Sequence, residues 1–129
     1  MAITQDAGRQ NVLVAKQSFA LADLVDATAV AAVSVPAGAI VVGGHLGITT
    51  AFDSGTSDTI AVGDGTTTYL TATSVAATGV TEFTTVVGPM YASADTIDIT
   101  WDGTGTAATT GVGYLVVEYI IDGRATEAN

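Results

Sequence analysis

The 129-residue sequence predicts an all-β protein, a single antiparallel β-sandwich, from three observations. Ala, Val, Thr and Gly dominate, while Leu, Lys and Glu are sparse; Val and Thr favour strands and Gly favours turns. Apolar and polar residues alternate with period two in segment after segment, the mark of a strand with one buried face. Between these segments stand short runs of Gly, Asp and Thr that read as tight turns. This length suits one domain and buries roughly two-thirds of the unfolded chain's surface, enough for a core without staples.

In chain order, the first ten or so residues are polar and residues 1–15 read as an N-terminal arm, residues 16–122 as the sandwich, and 123–129 as a C-terminal tail. "QSFALADL" puts Phe19 and Leu21 on one side of a first strand. A turn follows at Asp26, because Val and Thr crowd a helix and argue against reading "LADLVDATAVAAV" as one. "VAAVSVPAG" is a strand ending before Pro36, whose missing N–H suits a strand end. In "AIVVGGHLGITTAF", Ile40, Val42, Leu46, Ile48 and Phe52 share the expected inner face, with Val41, Gly43, His45, Gly47 and Thr49 opposite. "SDTIAVGDG" turns Ile60 and Val62 inward, and "TEFTTVVGP" runs as a strand into Gly88-Pro89. "DTIDITWD" buries Ile97, Ile99 and Trp101. The last strand, "YLVVEYIID", is apolar on both faces: Leu115, Val117, Tyr119 and Ile121 on one, Tyr114, Val116 and Ile120 on the other, with Glu118 interrupting the second. Two-sided apolarity means that both faces are covered, one by the core and one by an arm or a neighbouring subunit. About eight such strands fit a sandwich or jelly roll.

Charge and composition exclude whole function classes. Against 13 acidic residues stand 3 Lys plus Arg, a formal net charge of -10. Arg9, Lys16 and Arg124 cannot make the basic footprint that nucleic acid or an anionic membrane requires. The absence of cysteine removes disulfides and thiolate metal sites. No stretch approaches the roughly 18 apolar residues of a membrane span, and "MAITQDAGRQ" lacks the order of a signal peptide.

Several residues invite a chemical reading. "FDSGTS" around Asp53 is spelled like the catalytic loop of an aspartic protease, which needs two carboxylates sharing a proton. The same letters describe a turn, with Asp bonding its own backbone and Gly taking positive φ, and Asp58 flanks it. The hairpin pattern that follows favours the turn, so Asp53→Asn is expected to cost little. Asp53, Asp58, Asp64 and Asp102 sit in Gly-rich turns and offer calcium-type oxygen ligands, but lack the spacing and closing Glu of an EF-hand. His45 alternates away from the core face and, as the sole histidine without cysteines, cannot build a zinc site. Trp101 fits core packing better than a sugar platform. Gly63-Asp64-Gly65-Thr66 has neither a following helix nor a lysine for phosphate binding. The expectation is a protein without catalytic residues, metal or cofactor.

Taken together, "VSVPAGAIVVGGHLGITTAFDSGTSDTIAVGDG" and "SADTIDITWDGTGTAATTGVGYLVVEYIIDGRA" resemble the small head decoration (cement) proteins of tailed bacteriophages, over about Val33 to Ala125. The resemblance implies a jelly roll, usually trimeric, on the outer capsid surface of a virion assembled in the host cytoplasm, with the major capsid protein as partner. It implies no proteolysis at Asp53. A head fibre or a receptor- or glycan-binding module is the alternative, since jelly rolls also serve as lectins. On either reading the residues expected at subunit contacts are Tyr114, Val116, Glu118, Ile120 and His45.

Overall fold

The computed structural model describes residues 10–85 and 87–122. Within them run β1 (Leu13–Ala20), β2 (Thr28–Val35), β3 (Ala39–Thr50), β4 (Ser57–Gly63), β5 (Thr68–Ser74), β6 (Gly79–Glu82), β7 (Asp95–Thr104) and β8 (Val112–Ile121). Sheet A has the order β1-β8-β3-β6 and sheet B the order β2-β7-β4-β5, all neighbours antiparallel. Each strand pairs with its mirror in chain order: β1 with β8, β2 with β7, β3 with β6, β4 with β5. The β3–β8 and β4–β7 ladders join these nested pairs into the two sheets. A long hairpin rolled up in this way is an eight-stranded jelly roll, the arrangement the sequence leads one to expect.

Local chemistry sets the corners where the chain changes sheet. Between β2 and β3, the Ala39 N–H donates to Pro36 O at 3.2 Å while Gly38 takes φ 86°, the positive value a type II turn requires at its third position. Between β1 and β2, Leu21–Asp23 form a single 3-10 turn, closed by the Ala20 N–H donating to Asp23 Oδ2 at 2.8 Å. The first strand therefore stops at Ala20, and Leu21, expected on it, is only half-buried. Ala27 follows at φ 55°, held by its N–H on Trp101 O (2.7 Å) and by Asp26 Oδ1 on the Gly103 N–H (2.9 Å).

The core lies between the sheets, with Leu46, Leu115 and Val117 from sheet A facing Ile60, Ile97 and Ile99 from sheet B. β4 and β7 follow their predicted alternation. β3 does not follow it throughout. Val41, expected outside, is fully buried, while Ile40 and Val42 are half-buried on the outer face. The register against β8 shifts between Val41 and Gly43, and a bulge that adds one residue reverses the phase of everything before it. Beyond it, Leu46 and Ile48 point inward as expected.

Two boundaries and one strand also differ. β1 begins at Leu13, so residues 13–15, expected in the arm, pair with β8. β6 ends at Glu82, well before Gly88-Pro89. Beyond it the chain still lies along β3, with the Phe83 N–H on Gly44 O (3.0 Å), the Gly88 N–H on Val41 O (3.2 Å) and the Tyr91 N–H on Ala39 O (2.8 Å). β5 comes from "TYLTATS", a segment whose pattern does not announce a strand. Residues 1–9 of the arm and the tail, 123–129, fall outside the described residues, and with them Arg9 and Arg124.

Candidate functional surface

Asp53 is exposed, in the loop after β3, and its carboxylate is fully engaged. Oδ1 accepts the N–H groups of Thr109 (2.6 Å) and Thr110 (2.9 Å), and Oδ2 accepts the Thr109 hydroxyl (2.7 Å). These donors, the Thr109 hydroxyl foremost, hold its pKa down to about 2. The expected bond to its own turn is replaced by a tie to the β7–β8 loop. The neighbouring contacts run the same way, Gly55 N–H to Thr106 O and Thr56 N–H to Thr104 O, both 2.9 Å. An anion this weakly basic is poorly suited to take a proton from water.

Asp58 plays the part expected of Asp53. It shares the inward alternation of Ile60 and Val62 and is 1 % exposed. Its Oδ2 accepts the Ser54 N–H and its Oδ1 the Ser54 hydroxyl, both at 2.7 Å, so it closes the turn from inside. Oδ1 also accepts the indole N–H of Trp101 at 2.9 Å. Trp101 itself is 8 % exposed and tilted against Phe52, with ring centroids 5.9 Å apart.

Asp64 organises the other end. Its Oδ1 accepts the N–H groups of Thr66 (2.9 Å) and Thr67 (2.6 Å), which makes the β4–β5 turn. Its Oδ2 accepts the Tyr91 phenol at 2.7 Å, and Tyr91 meets the Tyr69 hydroxyl at 2.9 Å. With the Tyr91 proton spent on Asp64, Tyr69 must be the donor in that second bond. Burial, the largest influence on Asp64, pushes its pKa up, but the Tyr91, Thr67 and Thr66 donors together hold it below the ordinary value. Burial, then the bonds to Tyr69 and Asp64, push the Tyr91 phenol far above the usual range. Of the four aspartates considered as calcium ligands, Asp53 and Asp64 lie in different loops, Asp58 points inward from β4 and Asp102 is exposed on β7, and among the described residues no cluster of three metal-ligating side chains forms. The clefts are open ones, about 440 Å³ between Leu21, Thr50, Thr110 and Val112 and about 340 Å³ beside β1 and β2 between Gln17, Asp23, Leu24 and Ala31.

The broadest feature is the outer face of sheet A, where all five expected contact residues gather. Lys16, Val116, His45 and Glu82 stand in one row across the four strands. Ser18, Tyr114, Gly47 and Val80 form the next row on one side, and Val14, Glu118 and Gly43 the next on the other. Ile120 pairs with Ile40 beyond that. Tyr114 lies over bare Gly47, where a Cβ would collide with its ring. The Lys16 ammonium sits 4.8 Å from the centroid of that ring, and His45 meets it edge-on at 5.9 Å. Val14 and Val80 remain 65 % and 62 % exposed, whereas Val116 is already 9 % exposed within one chain. Val116 is therefore a floor beneath its neighbours, and Tyr114, Glu118, Ile120 and His45 are the side chains that a partner could reach.

Fold and surface together define a jelly-roll sandwich whose aspartates brace its loops and whose sheet A exposes Val14 and Val80 on its outer face. The chain is similar in structure to a chain of the cyanophage Pam1 capsid asymmetric unit, with a TM-score of 0.70 over 94 % of this chain and 92 % of that one. Sequence identity is 21 %, so the likeness is one of fold. No protein-family model matches the chain, and no curated protein matches it.

Proposed function

We propose that this chain is a structural protein of a phage virion, a decoration or cement protein that binds the outer surface of the head and stabilises it. The observation that carries the reading is the fold shared, over nearly the full length of both chains, with a component of a phage capsid asymmetric unit. Its partners are the major capsid protein and further copies of itself, as a homotrimer. Its acidic, cation-poor surface and the apolar outer face of sheet A suit a protein that clamps neighbours. Repeated weak contacts around a shell then act together through avidity. It works without catalysis: Asp53 is tied down by Thr109 and Thr110, and the other acidic turns are spent on structure.

The alternative, a head fibre or glycan-binding module, would need an aromatic platform. Trp101 is a poor one, because it is buried and its indole N–H is taken by Asp58. Electron cryomicroscopy of intact particles tests both readings. Density for the sandwich on the outer shell is expected; density confined to a fibre tip would favour the alternative, and particles without the protein would end both.

A further inference from the structure

We propose that the outer face of sheet A joins copies of this chain, with Lys16 of one copy closing on Glu118 of the next. The inference rests on the homo-oligomer reading above and names the pair that would set its register. Glu118 is half-buried on β8, flanked across the strands by Val14 and Gly43 and along its own face by Val116 and Ile120. Its carboxylate lies over the bare backbone of Gly43, with Oε2 3.7 Å from where a Cβ would stand. Among the described residues no cation meets it. The nearest candidate by register, Lys16, is turned instead toward the Tyr114 ring. A half-buried carboxylate beside apolar side chains and without a counter-charge is a position with which a cation on a neighbouring molecule can pair.

Charge argues that the cation comes from a second copy. Two molecules of net charge -10 repel wherever their acidic surfaces meet. The outer face of sheet B carries Asp98 and Asp102 on β7 with no cation beside them among the described residues. The outer face of sheet A sets Lys16 against Glu118 and Glu82 and is less acidic than that, with exposed Val14 and Val80 around them. Of the two outer sheet faces it is the one on which two copies meet at the lower electrostatic cost. The layout also suits a ring: Lys16 is on the edge strand β1 and Glu118 one strand inward on β8. The edge lysine of each copy can therefore overlap the neighbour's glutamate, a heterologous contact that forms a ring when its rotation closes.

A charge swap tests this. Lys16→Glu and Glu118→Lys are made singly and together in the full chain, and the assembly state is followed by sedimentation velocity across a dilution series. Trp101 emission, from the core, confirms that each variant is folded. Each single change is expected to raise the dissociation midpoint about tenfold, and the double variant to restore most of the loss. A wild type that is monomeric at micromolar concentration, single variants that assemble normally, or a double variant no better than the singles would each overturn the pairing. Binding to phage heads is scored separately. Heads decorated by a monomer would sink the pairing alone, and an intact oligomer that ignores heads would sink the decoration reading alone.

Discussion

The indole N–H of Trp101 donates to Oδ1 of Asp58 at 2.9 Å, a bond from β7 to β4 made inside the sandwich. The same carboxylate takes both donors of Ser54, so one buried side chain joins the core to the turn at 53–57. Removing it as Asp58→Ala leaves the indole N–H and the Ser54 groups without acceptors. The expected cost is about 2–4 kcal/mol, since each orphaned buried polar group costs its desolvation. Asp58→Asn keeps one acceptor but turns an amide donor toward either Ser54 or Trp101, and should cost less, roughly 1–3 kcal/mol. Urea unfolding measures both. Equal stability of the alanine variant and the wild type would show that the bond contributes nothing.

Asp53 calls for a pH experiment. Its folded pKa, about 2, lies below that of an unfolded aspartate. Its contribution is therefore present above the ordinary carboxylate range and is lost as pH falls toward 2. Asp53→Asn should be less stable than wild type near neutrality, and the difference should shrink as pH is lowered through that window. The variant should also be cut faster by added protease between Gly105 and Gly111, where the β7–β8 loop loses its anchor. A difference that grew on acidification would contradict the assigned bonds.

The Tyr69–Tyr91–Asp64 chain predicts an order of effects. Tyr91→Phe removes the central link, leaving the Tyr69 hydroxyl buried without an acceptor and Asp64 short of a donor. It should cost about 1–3 kcal/mol. Tyr69→Phe removes only the terminal donor and should cost less. Burial and these bonds raise the Tyr91 pKa, so the stabilisation is fully present below the unfolded tyrosine value and disappears as pH rises beyond it. Unfolding measured from neutral to strongly alkaline pH should show a steeper loss for wild type than for Tyr91→Phe.

How far the sequence discloses this fold can be argued from single residues. The sandwich is legible because Ile97, Ile99 and Trp101, and Ile60 and Val62, alternate without interruption, and Gly- and Asp-rich turns bracket them. The role of Asp58 is harder to read although its position carries a signal: it continues the inward series of Ile60 and Val62. An aspartate is seldom fully buried, so composition argues against what the periodicity says. The phase of Ile40 and Val42 is hidden because Val41, Val42, Gly43 and Gly44 offer no polar residue to mark where the bulge falls. The partner of Asp53 is out of reach, since Thr109 lies 56 residues away and only the rolled-up topology brings it near.

Gly47 supports the ring of Tyr114, and that contact separates the stability of one chain from its assembly. The ring lies where a Gly47 Cβ would project, and Lys16 and His45 are arranged around it. Gly47→Ala must therefore push an aromatic side chain off its seat, but on the outer face the ring is free to swing toward solvent. Within a single chain the loss should be small, about 1 kcal/mol for the displaced packing and the cation–π contact. If the outer face of sheet A joins copies, the displaced ring then stands in the path of the neighbour and frees Lys16 from its present direction. Assembly should weaken by clearly more than folding does. Parallel measurements of unfolding and of sedimentation on the same variant check this, and equal losses in the two, or none in assembly, would remove Tyr114 from the contact.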